Sequence, residues 1–199
     1  STTFKKLQHN TKHIPRCHCF KVGFSSKEGA AEMVSNIEHS TRSRIKQKDD
    51  QYEDDATVEY VNVRLDTLDR FCEQNNIEKI DLLKIDAEGH DLEVLKGGNS
   101  LLRDGKIEVV MVEAGMNDDN KLHVPFIRIY EYLQNLGYYL FAFYEQTEDW
   151  INRMPHLRRS NPVFIRHMHK DSHDEKNDLK NALEEKRWGR KYNIYKDVF

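Results

Sequence analysis

The chain has 199 residues, 33% charged and 38% hydrophobic, with a net charge of −3, a length that fits one domain with a core of its own. The near-balanced charge argues against a general nucleic-acid binder, which carries a basic excess, and no apolar run approaches the roughly 18 residues a membrane helix needs. Three cysteines do not make a disulfide framework and read as reduced thiols in a cytoplasmic setting.

In chain order, Ser1–Lys12 has the spacing of a short helix, capped by Ser1 or Thr2, with Phe4 and Leu7 turned inward. Arg16–Phe24, bounded by Pro15 and by Ser25–Gly29, alternates like a strand followed by a turn. Cys17 and Cys19 would share one face of that strand with His18 opposite. No second Cys/His pair stands at zinc-site spacing, so both read as core cysteines. Ser35–Thr57 is rich in Ser, Lys, Asp, Glu and Gln and reads as a long mobile loop. Val58–Leu65 alternates as a strand. Thr67 is placed to cap a helix over Leu68–Asn75 that turns Leu68, Phe71 and Cys72 inward.

The next stretch, Ile80–Gly115, is the one around which the chain is organised. Its two nearly continuous apolar runs, Ile80–Ile85 and Ile107–Val112, suit strands buried on both faces. Between them Leu92, Leu95 and Leu102 recur at helical spacing. Asp91 and Glu93 lie in the first turn, where carboxylates oppose the positive helix end, and Gly105 lies just past the last. This is a strand–helix–strand unit, and in open α/β sheets ligands bind outside the carboxyl ends of the strands. Asp86, Glu88, His90 and Glu113 would all crowd that edge. Gly97 and Gly98 have no GxGxxG context and read as close helix packing, not phosphate binding.

Val124–Leu136 is an amphipathic helix, with Phe126, Ile129, Tyr130, Leu133 and Leu136 inward and Gly137 closing it. Tyr138–Tyr144 and Asn161–Met168 read as strands. Glu145–Ser160 reads as an excursion above the strand ends, where Trp150, Arg158 and Arg159 would suit an acidic sugar or a phosphate, or would simply be solvated. His169–Phe199 is charged and helical in pattern, with Leu179, Leu183 and Trp188 as weak anchors.

Thr67–Gly98, TLDRFCEQNNIEKIDLLKIDAEGHDLEVLKGG, resembles the core signature of the FkbM-type methyltransferases. Those are class I enzymes that use S-adenosylmethionine to methylate hydroxyl groups of sugars or polyketide-like metabolites. The resemblance implies a Rossmann-like α/β sheet with helices on both faces and a C-terminal antiparallel hairpin. It also implies a small-molecule or glycan hydroxyl as acceptor. In the family, a strand, a glycine-rich turn, a helix and a second strand precede a helix like Ser1–Lys12. These 199 residues hold none of them, so the first two strands are expected to be absent and the sequence reads as a fragment. The resemblance further places Phe24, Ser25 and Ser26 near the adenine ring, where the bland alternative is a polar turn. It places Asp86 next to the sulfonium and the acceptor.

Methyl transfer to a hydroxyl needs donor and acceptor about 3 Å apart and a base for the hydroxyl proton. His90 has the most suitable intrinsic pKa, near 6.5. Asp86, Glu88 and Glu113, packed together, would raise one another's pKa or hold a hard cation; no residue is assigned as a metal ligand. The structural alternatives are that Glu88 or Asp91 caps the following helix, that Gly89 permits a tight turn, and that His90 bonds a neighbouring carbonyl. Two other readings use the same residues: a non-catalytic binding module built on this sheet, and a hydrolase or phosphotransferase using Asp86 and Glu88 with a metal.

Overall fold

The computed structural model describes residues 2–36, 43–46, 58–117, 120, 122–151 and 154–166. The tail beyond Arg166, including the expected helical extension, lies outside the described residues, as do the proposed cap Ser1 and most of 37–57.

The first part of the chain builds a four-stranded sheet. Helix α1 (Thr2–Thr11) precedes β1 (Gly23–Phe24), β2 (Gly29–Asn36), β3 (Arg44–Ile45) and β4 (Val58–Asp66). The strand order is β1-β4-β2-β3, with β1 parallel to β4 and β2 antiparallel to both β4 and β3. Four expectations are corrected here. The Arg16–Phe24 strand shrinks to Gly23–Phe24, and the loop expected from Ser35 onward begins within β2 and contains β3. Cys17 is exposed and Cys19 only half-buried, because no strand forms there to carry them inward. Leu7 is 47% exposed rather than turned into a core.

Helix α2 (Leu68–Gln74) starts where expected. The Thr67 side chain accepts from the Arg70 N–H, and Leu68 and Cys72 are buried. Phe71 packs edge-on against both Phe20 and Phe24, tying α2 to the approach to β1.

The second sheet holds β5 (Ile80–Ile85), β6 (Ile107–Val112), β7 (Ala114–Gly115), β8 (Tyr138–Ile151) and β9 (Met154–Arg166). Strands β5 and β6 are parallel neighbours, and the chain between them forms α3 (Asp91–Gly97) and α4 (Asn99–Arg103). Strand β9 runs antiparallel to β6, β7 and β8, so the last two strands form the expected hairpin. They are longer than expected: residues 145–151 and 154–160 continue the ribbon through register shifts instead of leaving it as a loop. Helix α5 (Phe126–Asn135) completes the fold.

One core joins these elements. Leu92, Leu95, Leu101 and Leu102 of α3–α4 meet Ile107, Val110 and Val112 of β6, Ile129 and Leu133 of α5, and Phe164 of β9. The helices supply this core from one face of the sheet. Register pairs Leu82 with Val109, Val109 with Ile165 and Ile165 with Tyr139, so these four share the other face. There Leu82 is 56% exposed, and Ile165 and Tyr139 are exposed too. The expectations of strands buried on both faces, and of helices on both faces, therefore do not hold for β5 among the described residues. Among those residues, no helix is long and apolar enough to cross a membrane.

Two close approaches position the strand ends. A Cβ on Gly97 would stand 2.1 Å from the Ser25 carbonyl oxygen, and one on Gly98 would stand 2.9 Å from Leu68 Cδ2. The glycine pair therefore serves close helix packing, not on the sheet as expected but against the segment after β1 and against α2. At the far end, Arg166 of β9 donates to the carbonyls of Leu102, Arg103 and Leu136, satisfying the C-terminal ends of α4 and α5 with one guanidinium.

Candidate active site

The turn after β5 carries the first acids. Its backbone is left-handed at Glu88 (φ +46°) and Gly89 (φ +90°), a conformation glycine adopts freely and glutamate does not. Asp91, fully buried, braces the turn: its carboxylate accepts from the N–H groups of Ala87 and Gly89, both at 3.1 Å. Burial pushes the Asp91 carboxyl up, and these backbone hydrogen bonds oppose that. Asp91 thus holds the preceding turn. His90 occupies the N-cap position of α3 and makes no side-chain cap bond.

The turn directs its side chains in different directions. Asp86 is half-exposed and lies 3.4 Å from Lys84 Nζ. Glu88 turns toward Glu113 at the end of β6, where the two meet a third side chain, His123. His123 Nε2 lies 3.0 Å from Glu113 Oε2 and 3.9 Å from Glu88 Oε2. Arg159 of β9 bonds the other carboxylate oxygen of Glu113. Burial holds the His123 imidazole below its usual pKa, against the pull of Glu88 and Asp91.

His90 does not join the acids. Its Nε2 lies 3.0 Å from the Ser25 hydroxyl, which places it on the other side of the turn. Ser26 donates to Glu93 at 2.5 Å, and Glu93 also pairs with Lys96. The Phe24 ring is spent on Phe71. Of the three residues expected near an adenine ring, Phe24 thus packs against α2 and both serine side chains are engaged at the start of α3. Asp86 is the residue of the expected donor set whose carboxylate faces outward.

Sequence reasoning missed His123, Asn120 and Arg159 as parts of this cluster. A signal existed for the first: His123 lies in the connection between β7 and α5 that follows the carboxyl end of β6, the edge where ligands bind. Arg159 had been read as part of a loop facing substrate. In the structure its side chain bonds the buried Glu113, because residue 159 lies on β9 opposite β7, which directly follows Glu113.

Two parallel strands ending in acids, a helical crossover between them and a terminal antiparallel hairpin make a mixed α/β fold of the kind in which ligands bind at the strand ends. The chain belongs to the methyltransferase FkbM domain family, whose domain matches residues 8–140. No curated protein and no solved structure matches it.

Proposed function

We propose that this chain is an O-methyltransferase that uses S-adenosylmethionine and takes a hydroxyl of a sugar or small metabolite as acceptor. The observation that carries the reading is the convergence of acids at the carboxyl ends of two adjacent parallel strands in an FkbM domain. S-adenosylmethionine, when bound, supplies a methyl group on a positively charged sulfur. Asp86, outward-facing and half-exposed, would attract that charge, and among the described residues it fits the donor best. Glu88, less deeply buried than its two neighbours, would accept the hydroxyl proton. Glu113, held by Arg159, would line the acceptor side of the pocket. His90 is assigned the work of holding the Ser25–Ser26 segment through Ser25, not that of a base.

The test is calorimetric titration of S-adenosylmethionine and of its demethylated product into the purified chain. Saturable binding weakened about tenfold or more by Asp86→Ala, a loss of about 1.4 kcal/mol or more, is the expected result. Binding indifferent to Asp86→Ala would overturn the assignment of that residue. No binding at all would favour a non-catalytic module on the same sheet, a reading the internal engagement of Ser25 and Ser26 already suits.

A further inference from the structure

We propose that Glu88, Glu113 and His123 form a binding site for a divalent first-row transition-metal cation. One ligand atom from each of the three lies within 4.8 Å of the other two. Two of the three side chains are deeply buried, Glu113 at 4% and His123 at 6% exposure, with Glu88 at 30% forming the open side.

Hydrogen bonding fixes what His123 presents to the acids. Asn120 Oδ1 accepts from the backbone N–H groups of Leu122 and His123, both at 3.2 Å, and its Nδ2 donates to the Arg158 carbonyl at 3.1 Å. The amide orientation is therefore set, and the atom 2.9 Å from His123 Nδ1 is an acceptor. Nδ1 must carry the hydrogen. In the neutral ring, Nε2 then aims a bare lone pair at two carboxylate oxygens. Three electron-pair donors converging in a buried pocket repel one another unless a positive centre lies among them. Two adjacent ligand atoms each about 2.1 Å from one metal ion at right angles would be about 3 Å apart, and Glu113 Oε2 and His123 Nε2 are 3.0 Å apart.

The surroundings are those of a metal ligand set. A coordinating histidine characteristically donates its other ring N–H to a fixed acceptor, as His123 does to Asn120. Arg159 holds Glu113 by its second oxygen and leaves Oε2 for the ion. One imidazole with two carboxylates favours Mn2+, Fe2+, Co2+ or Zn2+, and three protein ligands leave positions for an exogenous oxygen. The sequence reading allowed the acids a hard cation, assigned no residue as its ligand and did not include His123. A role for the ion in holding the acceptor hydroxyl rests on the methyl-transfer reading; the site itself does not.

The test is titration of the chelator-treated chain with MnCl2, with free Mn2+ followed by electron paramagnetic resonance and no methyl donor present. One Mn2+ per chain is expected, displaced by Zn2+, and weakened about tenfold or more by Glu88→Gln and by His123→Gln. Glu108→Gln, a surface carboxylate paired with Lys79, should leave binding unchanged. Glu88 is the outermost ligand, so Glu88→Gln is the variant expected to fold whatever the buried pair tolerates. Binding only at millimolar Mn2+, or binding indifferent to Glu88→Gln, would overturn the site and leave a proton shared among the three groups.

Discussion

Asp66 shows how one residue can do structural work that its surroundings conceal in the sequence. It ends β4 almost fully buried and accepts from the Thr67 N–H and from Arg70, with Arg64 alongside. Burial pushes its carboxyl up, but the Arg70 hydrogen bond, the Thr67 N–H and the two guanidinium charges outweigh that and hold it below its ordinary 3.8. A carboxyl lowered in the folded state contributes stability above its unfolded pKa and loses it as pH falls through the folded value. Asp66→Asn should therefore lower the urea midpoint near pH 7. Its deficit against the wild type should shrink as the pH is taken below about 3.8; a deficit independent of pH would remove the charge from the explanation. The same lesson applies at the site. Asp91 looked like a first-turn helix acid and also braces the turn carrying Glu88, and His90, expected among the acids, lies instead against Ser25.

Among the elements, the closest fit is that of α3 against the segment after β1. Gly97 leaves no room for a methyl group against the Ser25 carbonyl, and that carbonyl is backbone that cannot swing aside as a side chain would. Gly97→Ala must push α3 or the Ser25–Ser26 segment outward, at a cost of about 1–3 kcal/mol, measurable as a lowered urea midpoint. The same displacement should loosen His90 from Ser25 and Glu93 from Ser26. An unchanged midpoint would mean that the approach is looser than the geometry shows. Elements whose cause is local were legible in advance: α2 from its Thr67 cap, α5 from its apolar stripe, β4 from its alternation, β5 and β6 from their runs of apolar residues. The extent of β8 and β9 was not, because residues 145–151 and 154–160 have no apolar alternation and are held by cross-strand pairing.

For the molecule as a whole, the three thiols report on how the chain is closed. Cys17 is exposed, Cys19 is half-buried beside Thr11 Oγ1, and Cys72 is buried, with its thiol pushed up by burial and by Asp69. A thiol reagent under native conditions should modify Cys17 readily and leave Cys72 untouched until urea unfolds the chain. Early modification of Cys72 would show that α2 opens independently of the core it shares with α3 and α4. By itself the sequence determined the elements with local causes, the acid-ended strand pair and the family, since caps, periodicity and a dense motif are properties of neighbouring residues. Only the tertiary structure decided that Leu82 faces outward, that His90 leaves the acids, and that Glu113 meets His123 and Arg159. Those outcomes depend on which face the helices cover and on which distant segments meet at the strand ends, and no local pattern encodes either.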